Sequence, residues 1–499
     1  MKWLEAIKHA RRVSVPLIAL NSPDPANTIR KVAKELTSDK VTIPFVSWDI
    51  CRGAIGLNSE GSSAIAAAEM GDDVTIGQPN VMVTLASKLP ENTVMFVHNA
   101  DLYFEMTPIF GQGLWNLRDT FKTNKRMIVL LTVDFTPPAY LKDDIVVIDE
   151  PLPSTETLTE VVKECDLSRI NAGKEPLTDE DVTHSVEAVR GLNAFSAEQA
   201  VAMSLRNEGI DMEHLWEAKR TQVELTKGLS VWRGNESFED VKGLGFVKEF
   251  LGRVINGKNP PNAIVWVDEI EKMVAGAGSG GDSSGVSQGI LGSMLTEMQN
   301  QNAVGVILLG VAGSGKSLVA KAIGKEADVP TISWDSNAMK SGLVGSSEAS
   351  VRTALKVISA VSSNNALWIA TCNSIKNIPT ALRRRFSYGT YFFDLPTSDE
   401  KDAIWEYYLA KCGTTKAQCK VMPESNLWTG AETKTCCQLA YNLDCTLVEA
   451  SKYFVPVAVA APKELEDLRN EAEGRFLSAN HGETYTKKRS VKTRNIDLN

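Results

Sequence analysis

The chain has 499 residues, 43% of them apolar and 23% charged, and a formal net charge of −9 at neutral pH. Such a length suggests about three or four domain-sized units rather than one core. The acidic balance argues against a dedicated nucleic-acid binder, and no apolar run is long enough for a membrane helix.

The opening residues, Met1 to Arg12, lack the apolar core of a signal peptide. Eight cysteines are scattered without metal-ligand spacing, which suits a reducing cytoplasm or an equivalent stroma-like compartment.

In chain order, Val15 to Leu20 reads as a strand. The octet Asn21-Ser22-Pro23-Asp24-Pro25-Ala26-Asn27-Thr28 and a helix from Ile29 follow it. Further strands are expected at Phe45 to Asp49, Val94 to Asn99 and Met127 to Val133, and a short one ends in Ile148-Asp149-Glu150-Pro151. Helical patterning runs from Thr155 to Lys227. Leu229 to Asn235 then joins the two halves, with Trp232 either a linker residue or a docking anchor.

In the second half, Ile264 to Val267 is a strand closed by Asp268-Glu269, followed by a Gly/Ser-rich loop, Ala275 to Gly285. Gly310-Val311-Ala312-Gly313-Ser314-Gly315-Lys316-Ser317 fits G-x-x-x-x-G-K-[ST], the phosphate loop of nucleotide-binding ATPases. Its context agrees: an apolar strand, Val304 to Leu309, precedes it and a helix begins at Leu318. A Gly-rich turn there faces backbone N–H groups and a helix N-terminus toward phosphate. Lys316 would reach the β and γ phosphates of ATP, and the Ser317 hydroxyl would hold Mg²⁺. In such a site Asp268 steadies Mg²⁺, Glu269 polarises the attacking water and Asn373 orients it, because phosphoryl transfer asks mainly for positioning and charge stabilisation.

The halves repeat each other. Thr331 to Asp335 mirrors Phe45 to Asp49, Ile264 to Glu269 mirrors Val94 to Asn99, and Leu367 to Asn373 mirrors Met127 to Val133. Phe393-Asp394-Leu395-Pro396 mirrors Ile148 to Pro153, so an internal duplication is inferred. The first copy keeps the strands and loses the chemistry. Asn27 stands where Lys316 stands, Pro25 cannot donate an N–H, and His98-Asn99 replace the two acids. It reads as a structural or partner-binding module. In the second copy Arg383-Arg384-Arg385 precedes Phe386; such a run is usually a solvated face. Beside an ATP site, Arg384 or Arg385 can instead supply a cation to a neighbouring subunit.

With these residues in hand, the chain resembles the AAA ATPases over roughly Phe238 to Pro456. Phe238-Glu239-Asp240-Val241-Lys242-Gly243-Leu244 is similar to their opening phrase. The phosphate loop, Asp268-Glu269, Asn373 and the arginines before Phe386 match Walker A, Walker B, sensor 1 and the arginine finger. Trp428-Thr429-Gly430-Ala431-Glu432 is similar to the start of their lid helix. The resemblance places Gly243, Leu318, Gly430 and Ala431 around the nucleotide. The two-module plan is most similar to a plastid, cyanobacterial and phage group with a degenerate first copy. It implies a ring-forming, hexamer-like homo-oligomer that remodels a protein client.

Two departures stand out. Leu343, in Ser341-Gly342-Leu343-Val344-Gly345, takes the place of the pore-loop aromatic. The acid-bearing strand also precedes the phosphate-loop strand, whereas the family order, kept by the first module, is the reverse. Exchanging 264–303 with 304–366 restores that order, with Asn-Ala at all three joints: Asn262-Ala263, Asn302-Ala303 and Asn365-Ala366. The site is expected to survive, since every crossover keeps its direction and hence its face. Each changed joint passes one more strand, about 5 Å, within reach of loops that extend to roughly 17 Å.

The fold expected is α/β: two P-loop-like modules with parallel sheets, each followed by a helical lid. The boundaries are 1–153 for the degenerate module, 154–232 for its lid and linker, 233–396 for the ATPase module, 397–476 for the second lid and 477–499 for a basic, disordered tail. The expected function is Mg²⁺-dependent ATP hydrolysis by a ring that remodels a protein, with an ATP-binding scaffold of little turnover as the alternative. A DNA-loading machine is disfavoured by the acidic charge.

Overall fold

The computed structural model describes residues 2–37, 42–70, 77–133, 135–275, 286–301, 303–335, 346–415 and 418–487. The pore-loop phrase at 341–345, most of the Gly/Ser-rich loop and the end of the basic tail lie outside them. Contacts divide the chain into two units: Met1–Val161 with Asn193–Gln199, and Val162–Leu192 with Ala200–Asn499.

In the first unit β1 (Leu17–Asn21), β2 (Phe45–Asp49), β3 (Gly53–Gly56), β4 (Val94–Val97), β5 (Met127–Thr132) and β6 (Val146–Asp149) form one sheet. Its spatial order is β3-β2-β4-β5-β1-β6. Pairing is parallel throughout except between β2 and β3. Successive side chains alternate between two cores, as strand geometry requires. Leu17, Ala19, Ile128 and Leu130 pack on one face, and Ile18, Leu20, Val129 and Leu131 on the other. Both faces are covered, so the strands read as continuous apolar runs.

The second unit carries a small hairpin, β7 (Leu205–Arg206) with β8 (Gly209–Ile210). Its main sheet contains β9 (Leu229–Val231), β10 (Ala263–Val267), β11 (Val304–Gly310), β12 (Thr331–Trp334), β13 (Ala366–Cys372), β14 (Thr390–Phe393) and β15 (Leu477–Ser478). The order is β15-β14-β11-β13-β10-β12-β9. β10 lies parallel between β13 and β12, with Val265 opposite Trp368 on one side and Ile332 on the other. Ile264, Leu308 and Ile369 face one core; Val265, Leu309 and Trp368 face the opposite one.

Sequence boundaries shift at both ends of this module. Leu229–Val231, expected as linker, is an edge strand antiparallel to β12. Trp232 is an anchor: its ring meets Trp266 edge-on at 6.3 Å, and the Lys321 ammonium sits 3.9 Å from its centre. Most of the helical stretch expected as the first module's own lid belongs to the second unit. The reason is apolar burial: Val223 and Leu229 join the core beneath β12 and β13. The tail expected from 477 instead pairs with β14, with Leu477 opposite Tyr391. Tyr485 holds it there, its ring 4.5 Å from that of Phe392 and its hydroxyl donating to Asp394 at 2.6 Å.

Candidate functional site

Three neighbouring strands of the second sheet end at one place. β11 runs into the phosphate loop, which turns through Gly313 (φ +79°) and Gly315 (φ +97°) into the helix Lys316–Ala327. Positive φ is left-handed backbone that L side chains rarely adopt, so both turns need glycine. A Cβ on Gly313 would also meet the Thr429 hydroxyl at 2.8 Å and Ala431 at 2.9 Å. The lid helix Gly430–Asn442 thus begins against the loop, with the Ala431 N–H donating to the Gly313 carbonyl at 3.3 Å.

Lys316 is only 6% exposed, and its ammonium donates to the loop's own Gly310 and Val311 carbonyls, at 2.8 Å each. Burial pulls its pKa down to about 8. Ser317 follows, its hydroxyl donating to Asp268 Oδ1 at 3.1 Å. Asp268 and Glu269 stand at the end of β10, where Glu269 adopts a left-handed turn (φ +50°) that starts a new helix. From β13, the Thr371 hydroxyl donates to Asp268 Oδ1 at 2.5 Å and accepts the Glu269 N–H at 3.0 Å. Asn373 Nδ2 donates to Glu269 Oε1 at 3.1 Å, while Lys272 pairs with the other carboxylate oxygen at 2.5 Å. The residues expected together, Lys316, Ser317, Asp268, Glu269 and Asn373, do converge, although their strands follow the chain as β10, β11, β13.

A cavity of about 430 Å³ opens beside the loop, within the size range of small-ligand sites. Gly313 to Leu318 line it together with Gly430 and Ala431. Gly243 turns nearby (φ +74°), where a Cβ would meet Glu400 at 2.6 Å. Glu400 caps the helix Ser398–Cys412 and accepts from the Leu244 N–H at 3.1 Å. Gly310, Val311 and Ala312 lie outside the cavity wall, though Lys316 reaches back to the first two.

Arg384 and Arg385 are not brought to the loop within one chain. Arg385 donates to Gln299 at 2.6 Å, and among the described residues no hydrogen bond or ion pair joins either arginine to residues 310–318.

Three polar contributors were missed from sequence. Thr371 carries no local signal beyond its place near the end of β13. Glu271 lies in the short helix Ile270–Met273 just after the acids of β10. It is 8% exposed, accepts the Asn373 N–H at 2.9 Å, has no partner for Oε2 among the described residues, and has its pKa raised, first by burial. Asn480 sat in the expected tail. It lines the cavity and donates through Nδ2 to Glu400 Oε2 at 3.0 Å, while its buried Oδ1 has no partner among the described residues. An ionised carboxylate only accepts, so Glu400 fixes which end of that amide is the nitrogen.

The first module fills the corresponding place differently. Asn99 repeats the left-handed turn of Glu269 (φ +48°), but His98 beside it contacts Ser47 at 3.1 Å. Thr28, at the position of Ser317, donates to the Glu150 carboxylate, which also pairs with Lys31 at 3.1 Å. The Asn27 N–H caps onto Asp24 at 3.2 Å.

Fold and site together resemble those of AAA-type P-loop proteins, and two family models match parts of the chain. Residues 3–150 match the N-terminal domain of SpoVK-like AAA ATPases, and residues 306–362 match the ATPase family associated with various cellular activities. Within that class the chain is similar to proteins described as "Uncharacterized AAA domain-containing protein ycf46". That of Guillardia theta is 22% identical, covering 95% of each chain. That of Pyropia yezoensis is 23% identical over 73% of this chain and 79% of its own. Among solved structures, the FIGL-1 AAA domain aligns with 50% of this chain and 93% of its own, at 15% identity and a TM-score of 0.32.

Proposed function

We propose that the second module binds ATP with Mg²⁺ and hydrolyses it, and that the chain works as a ring-forming AAA ATPase that remodels a protein partner. The observation carrying this reading is the meeting of Ser317 with Asp268, and of Glu269 with Asn373, beside buried Lys316. Among the described residues no cluster of three His, Cys, Asp or Glu side chains could hold a metal alone. A hydroxyl and one carboxylate oxygen 3.1 Å apart suit Mg²⁺, which takes one or two protein oxygens and completes its shell with phosphate and water. Ser317 and Asp268 would hold it, and it would supply charge neutralisation on the phosphate oxygens.

The chain's own residues do the rest. Lys316 exchanges two loop carbonyls for phosphate oxygens. Thr371 fixes the Asp268 carboxylate by donating to it. Glu269 orients a water for attack and takes its proton, with Asn373 setting the angle of the carboxylate. Asn480 Oδ1 is an acceptor in need of a donor, which suits the exocyclic amine of adenine and not the carbonyl of guanine.

A second reading, an ATP-binding switch with little turnover, is favoured by the Glu269–Lys272 pair, which occupies the carboxylate that a water would need. Steady-state ATP hydrolysis by the purified chain decides: Mg²⁺-dependent turnover supports the first reading, and binding without turnover supports the second. The ring reading gives Arg384 and Arg385 a role in trans. A chain carrying Arg384→Ala and Arg385→Ala, mixed with a Lys316→Ala chain, should then recover activity that neither has alone. No recovery in an intact assembly would remove that role. A protein client, no membrane and no nucleic acid follow as the partner reading, in a cytoplasmic or stroma-like compartment. No described helix is long and apolar enough to cross a membrane.

A further inference from the structure

A second cavity in this unit, of about 690 Å³, lies along the flank of the phosphate-loop helix. Its walls are the helices Asp179–Val189 and Met212–Glu224, the segment 231–235, the helix Lys316–Ala327 and the start of β12. Five Lys or Arg side chains line it against two carboxylates, in a chain whose net charge is −9. Trp216 and Trp232 are also among the lining residues, with Lys219 over the first ring and Lys321 over the second.

Lys219 is the decisive residue. It is 4% exposed, and its ammonium sits 4.8 Å from the centre of the Trp216 ring. Among the described residues, its one hydrogen bond is to the main-chain carbonyl of Glu187, at 3.0 Å. An ammonium has three donors, and among the described residues no carboxylate lies within ion-pair distance of this one. Burial lowers its pKa to about 7. Lys219 therefore keeps donors that the described residues leave unused, and an anionic ligand in the cavity can take them. Lys325 faces the same space, one donor engaged with the Asn235 carbonyl at 2.8 Å. Arg233 is held at the wall by Glu217 and Glu224.

We propose that this cavity is a second ligand site, separate from the phosphate loop, for a nucleoside phosphate whose phosphate groups meet Lys219 and Lys325 and whose ring lies on Trp216 or Trp232. Aromatic faces next to cations recognise both parts of such a ligand. The site does not depend on ATP hydrolysis. Its position gives it a consequence, because Lys321 lines both this cavity and the one beside the phosphate loop. An occupant would tie the helix Met212–Glu224 to the helix that begins with Lys316.

The test uses the full chain carrying Lys316→Ala, so that the phosphate loop is disabled, and titrates AMP and inorganic pyrophosphate by calorimetry and tryptophan fluorescence. The expected result is one AMP per chain, tryptophan quenching, and competition by pyrophosphate. Lys219→Met, added to that background, should weaken AMP at least tenfold, and so should surface-exposed Lys325→Ala if the Met variant fails to fold. No AMP binding in the Lys316→Ala chain, or binding that neither substitution weakens, would overturn the proposal. Pyrophosphate binding without AMP binding would equally overturn it.

Discussion

The two sheets of this chain have one plan and two connectivities. β6-β1-β5-β4-β2 in the first unit corresponds, strand for strand, to β14-β11-β13-β10-β12 in the second. In the first the strands are visited as β1, β2, β4, β5, β6. In the second the acid-bearing strand β10 comes before β11, the strand that feeds the phosphate loop. Spatial order therefore does not follow chain order. It is set by strands apolar on both faces and by crossovers of fixed hand, and neither depends on where the chain starts. The polar ends separate the units further. Asn99 and Glu269 share a left-handed turn, yet only the second unit has a lysine, a serine and an acid meeting there. In the first, Glu150 takes the hydroxyl of Thr28 and the charge of Lys31.

The largest effect expected is on turnover. Glu269→Gln should keep ATP bound and lower steady-state hydrolysis roughly 10²–10⁴-fold, the loss typical of a positioned base. Parental turnover in that variant would show that the acid of β10 does no more than Asn99 does in the first unit.

Next is a pH effect that the first unit, with Asn27, cannot have. Lys316 is held near 8 by burial, so it is charged below that pH and loses its proton as pH rises through it. Phosphate favours the charged form, so ATP affinity should fall above about pH 8, by at most about tenfold per pH unit, with proton uptake on binding. Stability of the nucleotide-free fold moves the other way. Between about 8 and the ordinary lysine value of 10.5, the unfolded chain holds more protons, so rising pH stabilises the fold. A flat affinity from about pH 7 to about pH 9.5 would contradict this assignment.

Asn480 should act on base choice. Replacing it with leucine removes one acceptor, and the preference for ATP over GTP in competition binding should shrink by roughly three- to tenfold. An unchanged ratio would remove Asn480 from the base site. The smallest effect expected comes from exchanging 264–303 with 304–366, which makes the two connectivities alike. ATP affinity should stay as it was, and binding gained only by the exchanged chain would show that the present order damages the site.

Much of this was legible in the sequence. Repeated apolar strands pointed to the duplication, and the loop 310–317, Asp268-Glu269 and Asn373 pointed to the residues that converge at one end of the second sheet. The reason is physical: long buried strands leave contiguous apolar runs, and a phosphate loop needs glycines at fixed offsets. What could not be read has no local signature. β9 has three residues and β15 has two, too short for any period, and each exists because it pairs with an edge built from distant sequence. Asn480 and Glu271 acquire their roles from Glu400 and from the Asn373 N–H, contacts that only the folded chain makes. Val223 drew the first helical stretch into the second unit's core in the same non-local way.

The claim on which the rest depends is that one unit binds nucleotide and the other does not. Calorimetric titration of a non-hydrolysable ATP analogue with Mg²⁺ onto the intact chain measures it directly. In a Lys219→Met background, which removes the second site inferred above, one high-affinity site per chain is predicted, abolished by Lys316→Ala and untouched by Glu150→Ala. Two such sites per chain, or one that survives Lys316→Ala and disappears with a change in the first unit, would contradict it.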